Sequence, residues 1–108
     1  MNYNVKALAS FERQAKRLIK KYPSLEKEIF ELIQSLKSNP TQGDVLGKNC
    51  FKIRLAIASK GKGKSGGARI ISHIVFRNEI VYLVSIYDKS EIGSISPEQI
   101  NELLKQVK

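Results

Sequence analysis

A chain of 108 residues holds one domain with one hydrophobic core and is too short for two ordinary ones, so a single domain over residues 1–108 is expected. With 42% hydrophobic and 27% charged residues it reads as a soluble globular protein rather than a disordered one, and no apolar run approaches the roughly 18 residues of a membrane span. The net charge of +9 and pI near 9.8 favour a polyanionic partner, nucleic acid first, an acidic protein second and an anionic membrane third.

The start MNYNVKALASFERQAKR has no apolar block after a basic opening, unlike a signal peptide, and points to the cytoplasm. The single cysteine, Cys50, has no disulfide partner and is expected as a small buried residue. Charge is unevenly spread: residues 41–70 carry seven basic side chains and one acidic, whereas residues 71–108 are close to balanced.

Weak alternation over Asn2 to Leu8 predicts a first strand. From Ser10, read as an N-cap, Phe11, Ala15, Leu18, Ile19 and Tyr22 follow helical spacing. Arg13, Lys16, Arg17, Lys20 and Lys21 are left on the other surfaces, either a solvated face or auxiliary phosphate contacts, with Lys16 and Lys20 the candidates for RNA or ribosome binding. Tyr22-Pro23 breaks the helix, because a residue before proline is pushed out of the α region. Ser24 restarts it. Leu25, Ile29, Leu32, Ile33 and Leu36 form the stripe of a second helix that Asn39-Pro40 stops. Thr41 to Asn49 is expected to be loop, with at most a short extended piece at Val45-Leu46.

The period then changes to two. Phe51, Ile53, Leu55 and Ile57 alternate with Lys52, Arg54, Ala56 and Ala58, which sets Lys52 and Arg54 side by side, about 7 Å apart, on one exposed strand face. Lys60 to Gly67, KGKGKSGG, is a flexible cationic loop without an apolar anchor; Lys60, Lys62 and Lys64 are read as contacts to RNA or the ribosome. The loop is not a phosphate-binding P-loop, since Ala58 stands where that motif needs its first glycine and the following segment reads as strand. Ala68 to Phe76 and Ile80 to Tyr87 are two further strands, the second apolar on both faces, as in a covered central strand. Ser96-Pro97-Glu98-Gln99 starts a last helix with an N-cap, a proline in the first turn and a capping-box glutamine. The order β-α-α-β-β-β-α predicts an α+β fold with helices packed on a small, mostly antiparallel sheet.

One histidine, His73, excludes a two-histidine ribonuclease mechanism, and no His/Cys or carboxylate set has metal-binding spacing, so neither metal nor cofactor is expected. A site built on basic residues can still cut RNA, whose own 2′-hydroxyl attacks the adjacent phosphorus. The protein must then take the 2′ proton, neutralise the phosphorane-like transition state and protonate the 5′ leaving oxygen. A lysine among other cations serves as base through like-charge repulsion, and arginine clamps phosphate oxygens bidentately. Strand parity places Arg69, Ile71, His73 and Val75 on one face and Val81, Leu83, Ser85, Tyr87 and Lys89 on another. If the strand ends adjoin, Lys52, Arg54, Arg69, Tyr87 and Lys89 line one concave basic surface.

Lys52-Ile53-Arg54, the run GKGKSGGAR, Ala68 to Ile71 and the closing Ser85 to Lys89 resemble the RelE/HigB toxins of bacterial type II toxin–antitoxin modules. The likeness spans most of the chain. It implies a RelE-like fold, a ribosome-dependent endoribonuclease that cleaves mRNA in the A site while touching rRNA, and neutralisation by a cognate acidic antitoxin. By motif, Lys52 and Arg54 match the paired basic positions of the second strand, Arg69 the transition-state arginine and Lys89 the basic residue after the last strand. The RelE branch also has a tyrosine near its C-terminus that acts on the 2′-hydroxyl. No tyrosine follows Tyr87 here, which leaves Tyr87 or Lys52 for that part. The histidine-dependent HigB branch is not matched by His73 alone. The competing reading keeps the fold and drops the nuclease: a ParE-like toxin acting on DNA gyrase, or a non-catalytic basic RNA-binding module.

Overall fold

The computed structural model describes residues 2–61 and 63–107, with the side chain of Lys64 also outside the description. The two apolar periods resolve into β1 (Asn4–Ala7), α1 (Ala9–Lys21), α2 (Leu25–Ser38), β2 (Asp44–Gly47), β3 (Cys50–Leu55), β4 (Ala68–Val75), β5 (Ile80–Asp88) and α3 (Pro97–Leu104). One sheet contains all five strands in the order β1-β5-β4-β3-β2, with β1 parallel to β5 and every other neighbouring pair antiparallel.

Two expectations about helix and strand ends change. Ser10 is not the N-cap of α1. The helix begins at Ala9 with Leu8 in the capping position, and the Ser10 hydroxyl is buried, donating to Val84 O at 2.7 Å. The stretch expected as loop contains β2, whose Asp44 and Val45 pair with Lys52 and Phe51. The sheet thus gains an edge strand. The capping box of α3 is formed as read: Ser96 N donates to Gln99 Oε1 at 2.8 Å and Gln99 N to Ser96 Oγ at 3.1 Å.

Helices cover both faces of the sheet. On one, Phe11, Leu18, Leu25, Leu32 and Leu36 of the helical hairpin pack on Phe51, Ile53, Ile70, Ile74, Val81, Leu83 and Ile86. Each fully buried aliphatic side chain there contributes about 1.5–3 kcal/mol. On the other face, Ile71, Val84 and Tyr87 gather Ile95, Leu103 and Leu104 from α3 and the segment before it.

The β4–β5 ladder slips between Ile71, opposite Ser85, and Ser72, opposite Leu83, so Val84 is the extra residue of a bulge. Uniform parity along β5 therefore fails. Val81 and Leu83 point toward α1 and α2, while Tyr87, beyond the bulge, joins the α3 face.

The cationic loop is closed by a glycine that lies too close to the β3 backbone for a side chain. A Cβ on Gly67 would overlap the Leu55 carbonyl, whereas one on Gly63 would meet open space. Gly67→Ala is expected to destabilise by about 1–3 kcal/mol through this overpacking and Gly63→Ala to leave the midpoint nearly unchanged, as read by thermal unfolding of the two variants.

Candidate active site

The register of the three middle strands sets the basic residues in line. Arg54 of β3 stands opposite Arg69 of β4, and Arg69 opposite Tyr87 of β5. With strands about 4.8 Å apart, this row spans about 10 Å across the α3 face of the sheet. One step along, Lys52 lies opposite Ile71, and Ile71 opposite Ser85. Beyond the row, Lys89 N donates to Gly67 O at 3.0 Å, which carries the ladder one residue past β5 and leaves Lys89 half-buried. The five residues singled out for chemistry therefore come together at one end of the β3–β4–β5 ladder.

They are not all presented alike. Arg54 is open, its side chain 49% exposed, and donates from Nη1 to Asp44 Oδ2 at 2.7 Å. Lys52 is half-buried. Arg69 is only 4% exposed and donates from Nη1 to Ala68 O at 3.2 Å, so the concave surface expected from parity is covered at its centre. Tyr87 is buried as well; burial pushes its hydroxyl pKa up, against the opposing charge of Arg69, so the phenol stays protonated at neutral pH and acts as a donor.

Asp44 holds Arg54 the way an RNA phosphate would. The pair is exposed, so its loss changes stability by about 0–1 kcal/mol. Asp44→Asn is expected to tighten RNA binding and to steepen its salt dependence by about 0.7 in log–log slope for one added phosphate contact, measured by filter binding from low to moderate salt.

The base of the cationic loop is anchored by charge rather than by apolar packing. Lys60 Nζ, 10% exposed, lies 2.5 Å from Oδ1 of the fully buried Asp88 and 2.9 Å from Ser90 Oγ. Asp88 also accepts from Tyr22 Oη at 3.0 Å and from Ser90 N at 2.9 Å. Burial alone would raise the Asp88 pKa, but the donors from Lys60, Ser90 and Tyr22 hold it well below the usual carboxylate range. The turn before Lys60 is tied to α2: Ala58 N donates to Glu28 Oε2 at 2.7 Å and Ser59 N to Ser24 Oγ at 2.8 Å. Lys60, expected as an RNA contact, is thus an internal counter-ion. Lys62 and the side chain of Lys64 lie outside the described residues.

Lys16 and Lys20 are exposed on the outer side of α1, away from the core stripe and from the row, and the fold does not bring them to it. Arg17 and Lys21 of the same helix instead hold Glu91, at 2.9 and 3.3 Å, and fasten the segment after β5. His73 faces Cys50, with Nδ1 3.5 Å from Sγ; burial lowers the imidazole pKa and raises that of the thiol, as for two packed strand residues.

The sequence reading passed over Gln14 and Asp88. Gln14 Oε1 accepts from Ile86 N at 3.0 Å and from Ser85 Oγ at 3.1 Å, capping the β5 edge where β1 ends at the level of Leu83. No periodicity marks a polar residue that serves a distant strand edge.

Three helices on a five-stranded, mostly antiparallel sheet define the RelE-like fold class. The chain is similar in structure to a double arginine-to-alanine mutant of the E. coli toxin RelE in the free state, with a TM-score of 0.63 and 17% identity over 100% of both chains. No protein-family model matches the chain. Among the described residues no helix is long and apolar enough to cross a membrane.

Proposed function

We propose that the protein is a toxin of the RelE type, acting as a single domain in the cytoplasm as a ribosome-dependent mRNA endoribonuclease. The observation that carries this reading is the cross-strand row Arg54–Arg69–Tyr87, with Lys52 and Lys89 beside it. Two guanidinium groups on adjacent strands match the oxygens of one phosphate, whose charge grows as the 2′-hydroxyl attacks. Lys52 takes the 2′ proton, Arg54 and Arg69 hold the transition state, Tyr87 donates toward the 5′ leaving oxygen and Lys89 steers the phosphate backbone. Because Arg69 is covered in the free chain, it meets the RNA only once the side chains around it open. The ribosome is the natural agent of that opening, since rRNA and A-site mRNA present many phosphates at once to a chain of net charge +9. The same charge suits an acidic antitoxin as inhibitor.

The test is incubation of the purified protein with programmed ribosomes, followed by mapping of new mRNA 5′ ends. Cleavage confined to the A-site codon is expected. Intact mRNA under conditions where growth still arrests with DNA damage would instead select a gyrase-directed toxin, and intact mRNA with no growth arrest a binding module.

A further inference from the structure

Beside Tyr87, between α1, the β5 edge and α3, lies a hollow of about 340 Å³. Its apolar walls are Ile92, Ile95 and Leu103, and two glutamines, Gln14 and Gln99, reach it from opposite helices. We infer that this hollow is a nucleobase subsite that accepts keto bases, guanine and uracil, in preference to the amino bases adenine and cytosine. The inference deepens the nuclease reading by giving the cutting site a neighbour that reads sequence.

The selectivity follows from how the two amides are held. Gln14 Oε1 is fixed by the Ile86 backbone N–H at 3.0 Å and the Ser85 hydroxyl at 3.1 Å. Gln99 Oε1 is fixed by the Ser96 backbone N–H at 2.8 Å. A backbone N–H can only donate, so neither amide can be turned around without losing its bond, and both offer Nε2, a donor, to what enters. Arg17 and Glu102 at the rim are engaged with Glu91 and Lys105. The exocyclic groups of guanine (O6) and uracil (O4) are acceptors, whereas adenine N6 and cytosine N4 are donors that would face another donor across the contact. The apolar side chains suit the burial of a base, and Tyr87, the aromatic residue common to the hollow and to the row, offers a ring for it to stack on beside the phosphate held by Arg69.

The glutamines also supply a clean test. Glutamate keeps the oxygen that accepts from Ile86 N or Ser96 N and replaces the donor by an acceptor; a capping box takes either residue. Titrations of the full-length protein with GMP, UMP, AMP and CMP, followed by the backbone amide resonances of Ile86 and Ser96 and, in the wild-type protein, by the side-chain amides of Gln14 and Gln99, are expected to show the keto nucleotides binding on the order of 10-fold more tightly. In the Gln14→Glu/Gln99→Glu variant the order is expected to invert. Equal affinity for all four nucleotides, or no response of the two amides in the wild-type protein, overturns the inference without recourse to the variant. An unchanged order in a variant whose spectrum remains dispersed overturns it as well. If mononucleotides bind in the expected order while A-site mRNA stays intact, the nuclease reading falls and the base subsite stands.

Discussion

Replacing Arg69 by alanine is expected to lower the rate of A-site mRNA cleavage by about 10²–10³-fold, the cost of removing one preorganised charge donor from a transition state. The residue sits at the middle of the row, between Arg54 and Tyr87, and is the only one of the three with a cationic neighbour on one side and a phenol on the other. Arg69→Lys keeps the charge but not the planar fork, and is expected to recover little of the loss. Single-turnover cleavage on programmed ribosomes measures both variants, and a thermal melt of each separates lost chemistry from lost fold. Wild-type rates in a folded Arg69→Ala protein would remove Arg69 from the mechanism.

Asp88→Asn is expected to have the largest effect on stability. Breaking a buried pair from one side leaves the Lys60 ammonium, 10% exposed, without its counter-charge, a change that costs about 3–5 kcal/mol. Lys60→Met in the same chain removes the stranded charge and is expected to restore much of the loss. The pH dependence has a definite sign. The folded carboxyl titrates below its unfolded value of about 3.9, so the stabilisation is complete above that pH and drains away as pH falls toward the folded value. The gap in urea midpoint between the wild-type protein and the Asp88→Asn variant is expected to be full at pH 7 and to narrow as pH falls below about 3.9, remaining partly open near pH 3, where the folded carboxylate is still ionised. A gap of the same size at pH 7 and near pH 3 would show that the pair is not the source of the difference.

What was legible in the sequence is what depends on near neighbours. The α3 capping box needs only residues 96–99, and both of its bonds form. The alternation from Phe51 to Leu55 gives the correct faces because β3 has one buried side and one half-open side. The first strand was readable as a strand, but its parallel place beside β5 comes from the sheet as a whole. The edge strand β2 was legible only as a short extended piece at Val45-Leu46 because it buries nothing: Val45 is 76% exposed, so no apolar period marks the strand's bounds. The face of Tyr87 was assigned without the bulge at Val84, which nothing in IVYLVSIY signals, and the bulge is what separates Tyr87 from Val81 and Leu83.

In the candidate site, the row was legible as a set of residue types and its closure was not. Lys52, Arg54 and Arg69 stand out by charge and strand spacing, and the observed pairing supplies the register that spacing lacks. That Arg69 would be covered, and that Lys60 would be held by a carboxylate 28 residues away, depends on tertiary contacts. Charge counting treated the loop lysines alike; geometry makes Lys60 an internal counter-ion to Asp88.

The central claim, cleavage driven by the 2′-hydroxyl and carried by the Arg54–Arg69–Tyr87 row, is tested most directly with an mRNA bearing a single 2′-deoxynucleotide on the 5′ side of the mapped A-site cut. On programmed ribosomes the all-ribose message is expected to be cut there and the substituted message to remain whole at that bond. Equal cleavage of the two messages, or of neither, would contradict the account.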